Sequence, residues 1–362
     1  MFMDLQRLSS LAWNHALSSF GEEVYLKTGL DLTKPVSFSA LVNERCNAKC
    51  LYCDYWRLKE YNEMSIDEWK RALLSIKDFV GNYSISFSGG EPFIKVGFMD
   101  LLLWCAENNI SSGVTTNGSA LTLRNAEKVV AARPFNVNVS VDAPIAEVHD
   151  YLRGSPGLFD RLSAGIRNLV QERERQGAKF PIIIKPTVNA KNFRYLPEMV
   201  DWTKKIGASC VYPQPMNKWT QETTDDLWIE ERDLPELENV IDHLVEMAGS
   251  GEPILTPPKI LKLIPDHFRE KKAPRDTLPC RVGARNFFIR PTGSVELCHH
   301  GFASVGNLRD QSARDIWYGQ KAQEVRRQTV QCEQLCLVTC LSQKTLKDKF
   351  TMGKRLLRSR GG

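Results

Sequence analysis

Three cysteines that lie close together, Cys46, Cys50 and Cys53, constrain this chain more than any other feature. Their spacing is C-x3-C-x2-C, and no histidine lies near them in the sequence. Three thiolates on one loop can bind three irons of a four-iron cluster. The fourth iron then lacks a protein ligand, and an open metal position can bind a substrate or cofactor, as at a catalytic zinc. The spacing therefore predicts a reactive iron–sulfur cluster.

Other roles for these thiols fit the sequence less well. A structural zinc site wants four ligands, and the fourth is missing here. The chain has ten cysteines in 362 residues, and Met1–Phe20 predicts an amphipathic helix, not a secretory signal. A disulfide framework is therefore not indicated. No apolar stretch approaches the roughly 20 residues of a membrane span, so we expect a cytoplasmic protein with reduced thiols.

The formal charge of +5 is concentrated at the C-terminus. Residues 344–362 carry seven basic side chains and one acid, Asp348, which leaves the rest of the chain close to neutral. Nucleic-acid binding through a broad basic face is therefore not expected. The tail is interpreted as a solvated terminus, with contact to an anionic partner or a membrane surface as the alternative.

Strand-like and helical segments alternate between residues 36 and 215. The predicted strands cover residues 36–42, 83–87, 111–116, 136–141, 182–188 and 210–212. This alternation implies an α/β fold with parallel strands and right-handed crossovers. Ligands of such folds gather at the carboxyl ends of the strands. The periodicity does not distinguish an open sheet from a closed barrel.

Several motifs after the cysteine loop resemble those of the radical S-adenosylmethionine (radical SAM) enzymes. Besides the C-x3-C-x2-C spacing, the resemblance rests on Tyr52, Gly89-Gly90-Glu91-Pro92, Thr115–Gly118, Ser140-Val141-Asp142 and His149–Gly154. It covers roughly residues 35–215 and implies a partial (β/α)6 barrel. It also implies that Cys46, Cys50 and Cys53 hold a [4Fe-4S] cluster that binds S-adenosyl-L-methionine (SAM).

The same resemblance predicts which residues bind SAM. They are Tyr52, Gly89, Gly90, Glu91, Pro92, Thr116, Asn117, Ser140 and Asp142. Glycines let the backbone approach a ligand closely, Tyr52 offers an aromatic face for the adenine, and Asp142 can accept hydrogen bonds from ribose hydroxyls. Glu91 is expected to position its loop or to meet the ammonium group of SAM.

A second cysteine group predicts a second metal site near the C-terminus. It consists of Cys280, Cys298, Cys332, Cys336 and Cys340. The pattern C-x12-G-x4-C through Gly293 resembles the SPASM and twitch extensions of radical SAM enzymes. It implies a small β-hairpin-plus-helix domain that holds an auxiliary [4Fe-4S] cluster on four of the five cysteines. A zinc site on the same thiols is the alternative, and His299 or His300 is an alternative ligand. Cys105 and Cys210 are expected to be packed in the core.

These motifs divide the chain into five predicted segments. They are an N-terminal helical segment (1–34), the radical SAM core (35–215), a connector (216–275), the SPASM/twitch-like domain (276–342) and the basic tail (343–362).

The resemblance implies an oxidoreductase or maturase that cleaves SAM reductively. A flavodoxin- or ferredoxin-type protein would supply the electron, and the resulting 5′-deoxyadenosyl radical would abstract hydrogen from a substrate C–H bond. Two substrate classes are open: a ribosomally made peptide, or a small molecule such as an aminocyclitol, sugar or nucleoside that would be dehydrogenated or epimerised. A non-enzymatic electron carrier or zinc-dependent RNA-binding protein would leave the GGEP motif without a purpose.

Overall fold

The computed structural model describes residues 5–58, 62–218, 226–273, 280–298, 300 and 302–337, with side chains from Trp13 onward. The described α-helices, in chain order, are α1 (Leu5–Thr28), α2 (Ile66–Val80), α3 (Phe98–Glu107), α4 (Leu123–Ala131), α5 (Ala146–Arg153), α6 (Leu158–Arg175), α7 (Leu196–Lys205), α8 (Leu234–Ser250), α9 (Pro258–Leu261), α10 (Ile264–Phe268), α11 (Ala313–Tyr318) and α12 (Gln320–Val330). The described β-strands are β1 (Ser37–Leu41), β2 (Ser84–Ser88), β3 (Ser111–Thr116), β4 (Asn136–Val139), β5 (Ile182–Ile184), β6 (Thr187–Val188), β7 (Cys210–Val211), β8 (Gln214–Pro215), β9 (Asn286–Ile289), β10 (Ser294–Glu296) and β11 (Gly306–Asn307).

The described chain forms two compact units that interleave along the sequence. The first unit is built from parts of 1–44, 59–113 and 274–333, and the second from parts of 45–58, 114–273 and 334–362. Segments that are far apart in sequence therefore share one core. The five consecutive segments expected from the sequence stay a prediction.

β1 is the central strand of the first unit. It pairs in parallel with β2 on one side and with β9 on the other, so that Phe38 stands beside both Ile85 and Phe287. β10 and β11 continue this sheet in antiparallel order. Phe287 and Trp317 are fully buried. The predicted C-terminal hairpin is present, and it extends the sheet of the strand that precedes the cysteine loop in the sequence.

In the second unit, β4, β5 and β7 form a parallel group. Val139 pairs with Ile184, and Ile184 pairs with Val211. All three side chains are fully buried on one face of the strands. Side chains alternate between the faces of a strand, so the residues directly before and after these three lie on the opposite face.

Local sequence explains where several helices begin and end. Ser65 and Glu68 form a capping box at the start of α2, a device worth about 1 kcal/mol. Ser312 caps the start of α11 through its hydroxyl oxygen, which accepts from the N–H of Asp315. Gly154 ends α5 in the left-handed conformation, which glycine adopts without steric cost.

Three elements differ from the sequence-based expectation. The fifth predicted strand, 182–188, is divided into β5 and β6, because Pro186 has no N–H to donate to a ladder. The helix expected in the β-hairpin-plus-helix domain is divided at Gly319 into α11 and α12. The connector contains the long helix α8, whose buried side chains Leu237, Ile241 and Leu244 follow helical spacing.

The described helices also bear on membranes. None of them combines the length and the apolar character needed to cross a lipid bilayer. The basic tail, on which the sequence analysis left two interpretations, lies outside the described residues.

Candidate active site

The cysteine loop belongs to the second unit, where it is tied to the end of α5. The N–H of Lys49 donates to the carbonyl of Arg153 at 3.0 Å, and the N–H of Leu51 donates to the carbonyl of Leu152 at 2.9 Å. A Cβ on Gly154 would lie 2.3 Å from the Lys49 carbonyl oxygen. The close approach of the loop to α5 therefore requires glycine at this position.

A buried ion pair lies directly behind the loop. The Arg153 guanidinium contacts the Asp142 carboxylate through Nη2 at 3.0 Å and through Nε at 2.7 Å. Its Nη1 lies 3.7 Å from the Sγ of Cys50, within hydrogen-bonding distance of a sulfur acceptor. The Tyr52 hydroxyl donates to Oδ2 of Asp142 at 2.5 Å, the oxygen that Nε of Arg153 also contacts. Two predicted site residues, Tyr52 and Asp142, are thus brought together with a predicted cluster ligand.

Asp142 is held from further directions. Its Oδ1 also accepts from the N–H of Thr187 at 3.0 Å, and its backbone carbonyl accepts from the Asn192 amide at 2.9 Å. Its own N–H donates to Nδ1 of His149 at 3.1 Å. Both carboxylate oxygens therefore have protein donors, and the predicted contact with ribose hydroxyls stays a prediction.

His149 is a buried neutral base. Because Nδ1 accepts a hydrogen bond, the ring proton must sit on Nε2. Burial, and then the positive charge of Arg153, lowers the pKa of His149 to about 4. His149, Arg153 and Asn192 were not among the predicted site residues. The first two lie in the motif His149–Gly154, which carried the signal, whereas Asn192 had none.

The thiols of the loop have the chemistry that an iron–sulfur cluster needs. Burial raises the pKa of Cys53 to about 12, and the neighbouring charges of Cys50 and Cys46 add to this. Burial also raises the pKa of Cys50, against the lowering effect of Arg153. Iron binds thiolates and would supply the positive charge that buried thiolates require. Among the described residues, no three Cys, His, Asp or Glu side chains lie close enough together to bind a single metal ion. An iron–sulfur cluster does not require such a group, because each thiolate binds a different iron.

Polar side chains at two strand ends connect to the same loop. The Asn117 amide donates to the side-chain oxygen of Asn47 at 2.8 Å, and Asn47 donates to the Ser119 hydroxyl at 2.9 Å. The N–H of Ser140 donates to the carbonyl of Thr116 at 2.9 Å. The predicted SAM-binding residues Thr116, Asn117 and Ser140 therefore occupy neighbouring strand ends in the second unit.

The GGEP motif lies in the first unit, where Asn43 holds it. The Asn43 amide donates to the Glu91 carbonyl at 2.9 Å, and the Asn43 carbonyl accepts from the N–H of Gly90 at 3.0 Å. A Cβ on Gly89, whose φ is 146°, would lie 2.4 Å from that carbonyl oxygen. A carboxylate oxygen of Glu91 accepts from the N–H of Phe93 at 3.2 Å, and Pro92 opens a short 3-10 helix. Sequence reasoning missed Asn43, which no motif singled out.

The C-terminal cysteines are only partly described. Cys280, Cys298 and Cys332 belong to the first unit and Cys336 to the second. The Sγ of Cys298 accepts from the N–H of His300 at 3.5 Å. Cys340 and His299 lie outside the described residues, so the assignment of four ligands among five cysteines stays a prediction.

The two remaining cysteines lie in packed surroundings. Cys105 is fully buried within α3, and burial raises its pKa to about 12. Cys210 packs with Ile183, Tyr212 and Leu255. These contacts agree with the core positions expected for both residues.

One face of the second unit's strands carries polar side chains. The Asn138 amide donates to the Thr115 hydroxyl at 3.1 Å. Asn138 pairs with Ile183, and the same alternation, continued one residue beyond the ends of β4 and β5, places Ser140 and Lys185 on this face. The Nζ of Lys185 lies 5.8 Å from the centre of the Tyr212 ring. The same face also carries Ile183, Cys210 and Tyr212, which pack together with Leu255, so it is polar only in part.

Comparison with known proteins identifies the family. Residues 41–198 match the model of the radical SAM superfamily, and residues 280–341 match SPASM, an iron–sulfur cluster-binding domain. The chain therefore contains a radical SAM domain followed by a SPASM domain. This radical SAM protein is 26% identical over 290 residues to the AdoMet-dependent heme synthase of Methanosarcina barkeri, covering 75% of this chain and 79% of the relative. It is 24% identical over 296 residues to the mycofactocin maturase of Mycobacterium tuberculosis, covering 80% and 71% of the two chains.

Among solved structures, the SuiB protein of Streptococcus suis bound to S-adenosylmethionine has a similar fold. The TM-score is 0.67 at 18% identity, over 85% of this chain and 71% of SuiB. The predicted α/β fold with a SPASM-type extension is confirmed. The chain is a radical SAM enzyme whose cofactors are a [4Fe-4S] cluster with SAM and an auxiliary iron–sulfur cluster. The individual ligand and SAM-binding residues stay predictions.

Proposed function

We propose that this radical SAM enzyme cleaves SAM reductively and abstracts a hydrogen atom from a ribosomally made peptide. The observation that carries the first step is the contact of Cys50 with the buried Arg153–Asp142 pair, because it places a fixed cation at a cluster thiolate. Two comparisons support the peptide. One relative is a maturase, and SuiB has been solved bound to its precursor peptide SuiA.

The chain's own residues divide the work. Cys46, Cys50 and Cys53 would hold the reactive cluster, and cysteines of the C-terminal group would hold the auxiliary one. When bound, the reduced cluster and SAM supply a 5′-deoxyadenosyl radical that takes a hydrogen atom from the substrate. Asn43 holds the GGEP loop, which would bind SAM. Asn117 is fixed by Asn47 of the cysteine loop, which holds the strand end in register with that loop.

The outcome for the substrate depends on the auxiliary cluster. When bound, this cluster would supply electron transfer to or from the substrate, or a binding position for it, and each would give a different product. A flavodoxin- or ferredoxin-type donor would deliver the first electron. The proposed setting is the cytoplasm, where reducing conditions keep thiols available for iron.

The peptide proposal is tested by co-expression with the short open reading frames that flank the gene. Mass spectrometry of each peptide should show the loss of hydrogen atoms or a new crosslink in one of them. The same peptide should raise the yield of 5′-deoxyadenosine in anaerobic assays with purified enzyme. If no flanking peptide is modified or raises that yield, the peptide assignment is wrong, although SAM cleavage itself would stand.

A small anionic molecule is the second candidate, and Lys185 favours it. Lys185, which directly follows β5, is a half-buried cation whose Nζ lies 5.8 Å from the centre of the Tyr212 ring, and Asp142 is neutralised by Arg153. A half-buried ammonium attracts an anion more strongly than an exposed one. The heme synthase relative also supports a small-molecule substrate. Lys185→Met removes this cation, and Lys185→Arg keeps it. If Lys185→Met turns over a peptide substrate at the wild-type rate, the result would argue against the small anionic molecule.

A further inference from the structure

We propose that Arg153 is a positioning residue that raises the reduction potential of the cluster held by Cys46, Cys50 and Cys53, through the hydrogen bond from its Nη1 to the Cys50 sulfur. The inference rests on the proposed role of these cysteines as ligands. It goes beyond that role, because it assigns to a residue outside the ligand set the control of how easily the reaction starts.

The geometry fixes the guanidinium in one orientation. Nη2 donates a charge-assisted hydrogen bond to the Asp142 carboxylate at 3.0 Å, and Nε lies 2.7 Å from the same carboxylate in ion-pair contact. The third nitrogen, Nη1, is left facing Cys50 at 3.7 Å. The guanidinium also lies over the Tyr52 ring, at 5.4 Å from its centre. Asp142 and Tyr52 thus orient the guanidinium so that one N–H edge faces the sulfur.

The order of charges decides the sign of the effect. The guanidinium contacts the sulfur with one edge and the Asp142 carboxylate with the other, so the positive charge lies nearer to the sulfur than the negative charge does. Arg153 is 8% exposed and Asp142 is fully buried, so water screens the pair weakly. Hydrogen bonds to sulfur and nearby charge are known determinants of cluster potentials.

Reduction adds negative charge to the group that Arg153 contacts. One electron passes from a low-potential donor of the flavodoxin or ferredoxin class to the cluster, and no bond forms or breaks in this step. The reduced form carries one more negative charge, part of which resides on the thiolate sulfurs. A fixed cation at Cys50 stabilises the reduced form more than the oxidised form, and the potential is therefore higher with Arg153 than without it.

The backbone of Arg153 has a separate job, which makes its side chain testable. The carbonyl of Arg153 anchors the cysteine loop through the N–H of Lys49, and a side-chain substitution keeps this carbonyl. Arg153→Met removes the cation and the hydrogen bond while it retains much of the apolar stem. Arg153→Lys keeps a cation but loses the two-edged geometry. Arg161 serves as a matched control, because it is an exposed arginine close in sequence that contacts the Pro156 carbonyl.

The experiment is a redox titration of the anaerobically reconstituted full-length enzyme, followed by electron paramagnetic resonance. The signal that changes on addition of SAM identifies the cluster with the open iron. In Arg153→Met, we expect the ratio of reduced to oxidised cluster at a fixed solution potential to fall about tenfold, which is about 59 mV for a one-electron couple. Arg153→Lys should shift in the same direction by less, and Arg161→Met should not shift. Iron content measured in parallel confirms that each variant is loaded.

An unchanged potential in fully loaded Arg153→Met would overturn the proposal. If Arg153→Met does not retain its cluster, Asp142→Asn gives the opposite test. Loss of the carboxylate charge leaves the guanidinium uncompensated, so the potential should rise; a potential that is unchanged or lower would overturn the proposal as well. The titration needs no turnover, so failure of the proposed function, seen as absence of 5′-deoxyadenosine, is distinguishable from failure of this inference.

Discussion

The Asn43 side-chain amide donates to the Glu91 carbonyl at 2.9 Å. This bond joins the end of β1 to the GGEP loop. Asn43 also accepts from the N–H of Gly90, and it lies three residues before Cys46 in the sequence. A single residue therefore links the loop proposed to bind SAM to the segment that leads into the cluster ligands.

Replacement of Asn43 by leucine should weaken SAM binding. The variant removes the amide donor and leaves the buried Glu91 carbonyl without it, a cost of about 1–3 kcal/mol. We expect the dissociation constant for SAM, measured by isothermal titration calorimetry on the reconstituted enzyme, to rise roughly tenfold, which corresponds to about 1.4 kcal/mol. Iron content should stay unchanged.

Asn14 provides the matched control for this experiment. Its amide also donates to a backbone carbonyl, that of Val80, at 3.1 Å. Asn14→Leu therefore removes the same kind of bond in the same unit, and should lower stability without a change in SAM affinity. Equal effects of the two variants on SAM binding would show that Asn43 has no specific role at the GGEP loop.

Substitution of Gly154 by alanine should loosen the cysteine loop. Gly154 has φ 54°, and an added Cβ would lie 2.3 Å from the Lys49 carbonyl oxygen. Gly177 is the control, because its φ is 58° and nothing lies within 4 Å of its added Cβ. Both variants bear the left-handed penalty of about 1 kcal/mol, and Gly154→Ala adds a clash.

We therefore expect Gly154→Ala to unfold at lower urea concentration than Gly177→Ala and to bind less iron per chain. Urea midpoints and iron content after reconstitution measure both effects. Identical values for the two variants would mean that the contact between Lys49 and Gly154 does not hold the loop.

The buried His149 predicts a pH dependence of stability. Its pKa is lowered from 6.5 in a model compound to about 4 in the folded protein. The unfolded chain therefore binds more protons between these values, so stability is fully present above about pH 6.5 and is lost as the pH falls towards 4. The maximum loss from this one group is about 3 kcal/mol.

Urea unfolding at pH 7.5 and pH 5.5 measures this dependence. His149→Gln should lose less stability between the two pH values than the wild-type enzyme, whereas His243→Gln, a change at an exposed histidine of α8, should behave as the wild type. The same loss of stability in wild type and His149→Gln would show that His149 does not carry the effect.

Much of the fold was predictable because its signals are local. The strand over residues 111–116 was predicted with the bounds of β3, since the turn signal Asn117-Gly118 marks its end. Tyr52 and Asp142 were predicted as site residues from their motifs alone. Their hydrogen bond was not predicted, because it joins residues 90 positions apart.

Other features depend on contacts that no pattern in the sequence encodes. The pairing of β1 with β9 joins the two ends of the chain, and periodicity does not specify which strands become neighbours. Asn43 and Arg153 act through the direction of single N–H groups, which only the folded backbone defines. Helix α8 was not predicted within the connector 216–275; Pro235 lies in its first turn, where proline is well tolerated.

The most direct test of the central claim is the formation of 5′-deoxyadenosine from SAM. Wild-type enzyme, reconstituted anaerobically and reduced with dithionite, should form it, as measured by liquid chromatography with mass spectrometry. The triple variant Cys46→Ala, Cys50→Ala, Cys53→Ala should retain iron at the C-terminal site but form none. 5′-Deoxyadenosine formation by the triple variant at the wild-type rate would contradict the assignment of these cysteines as the site of SAM cleavage.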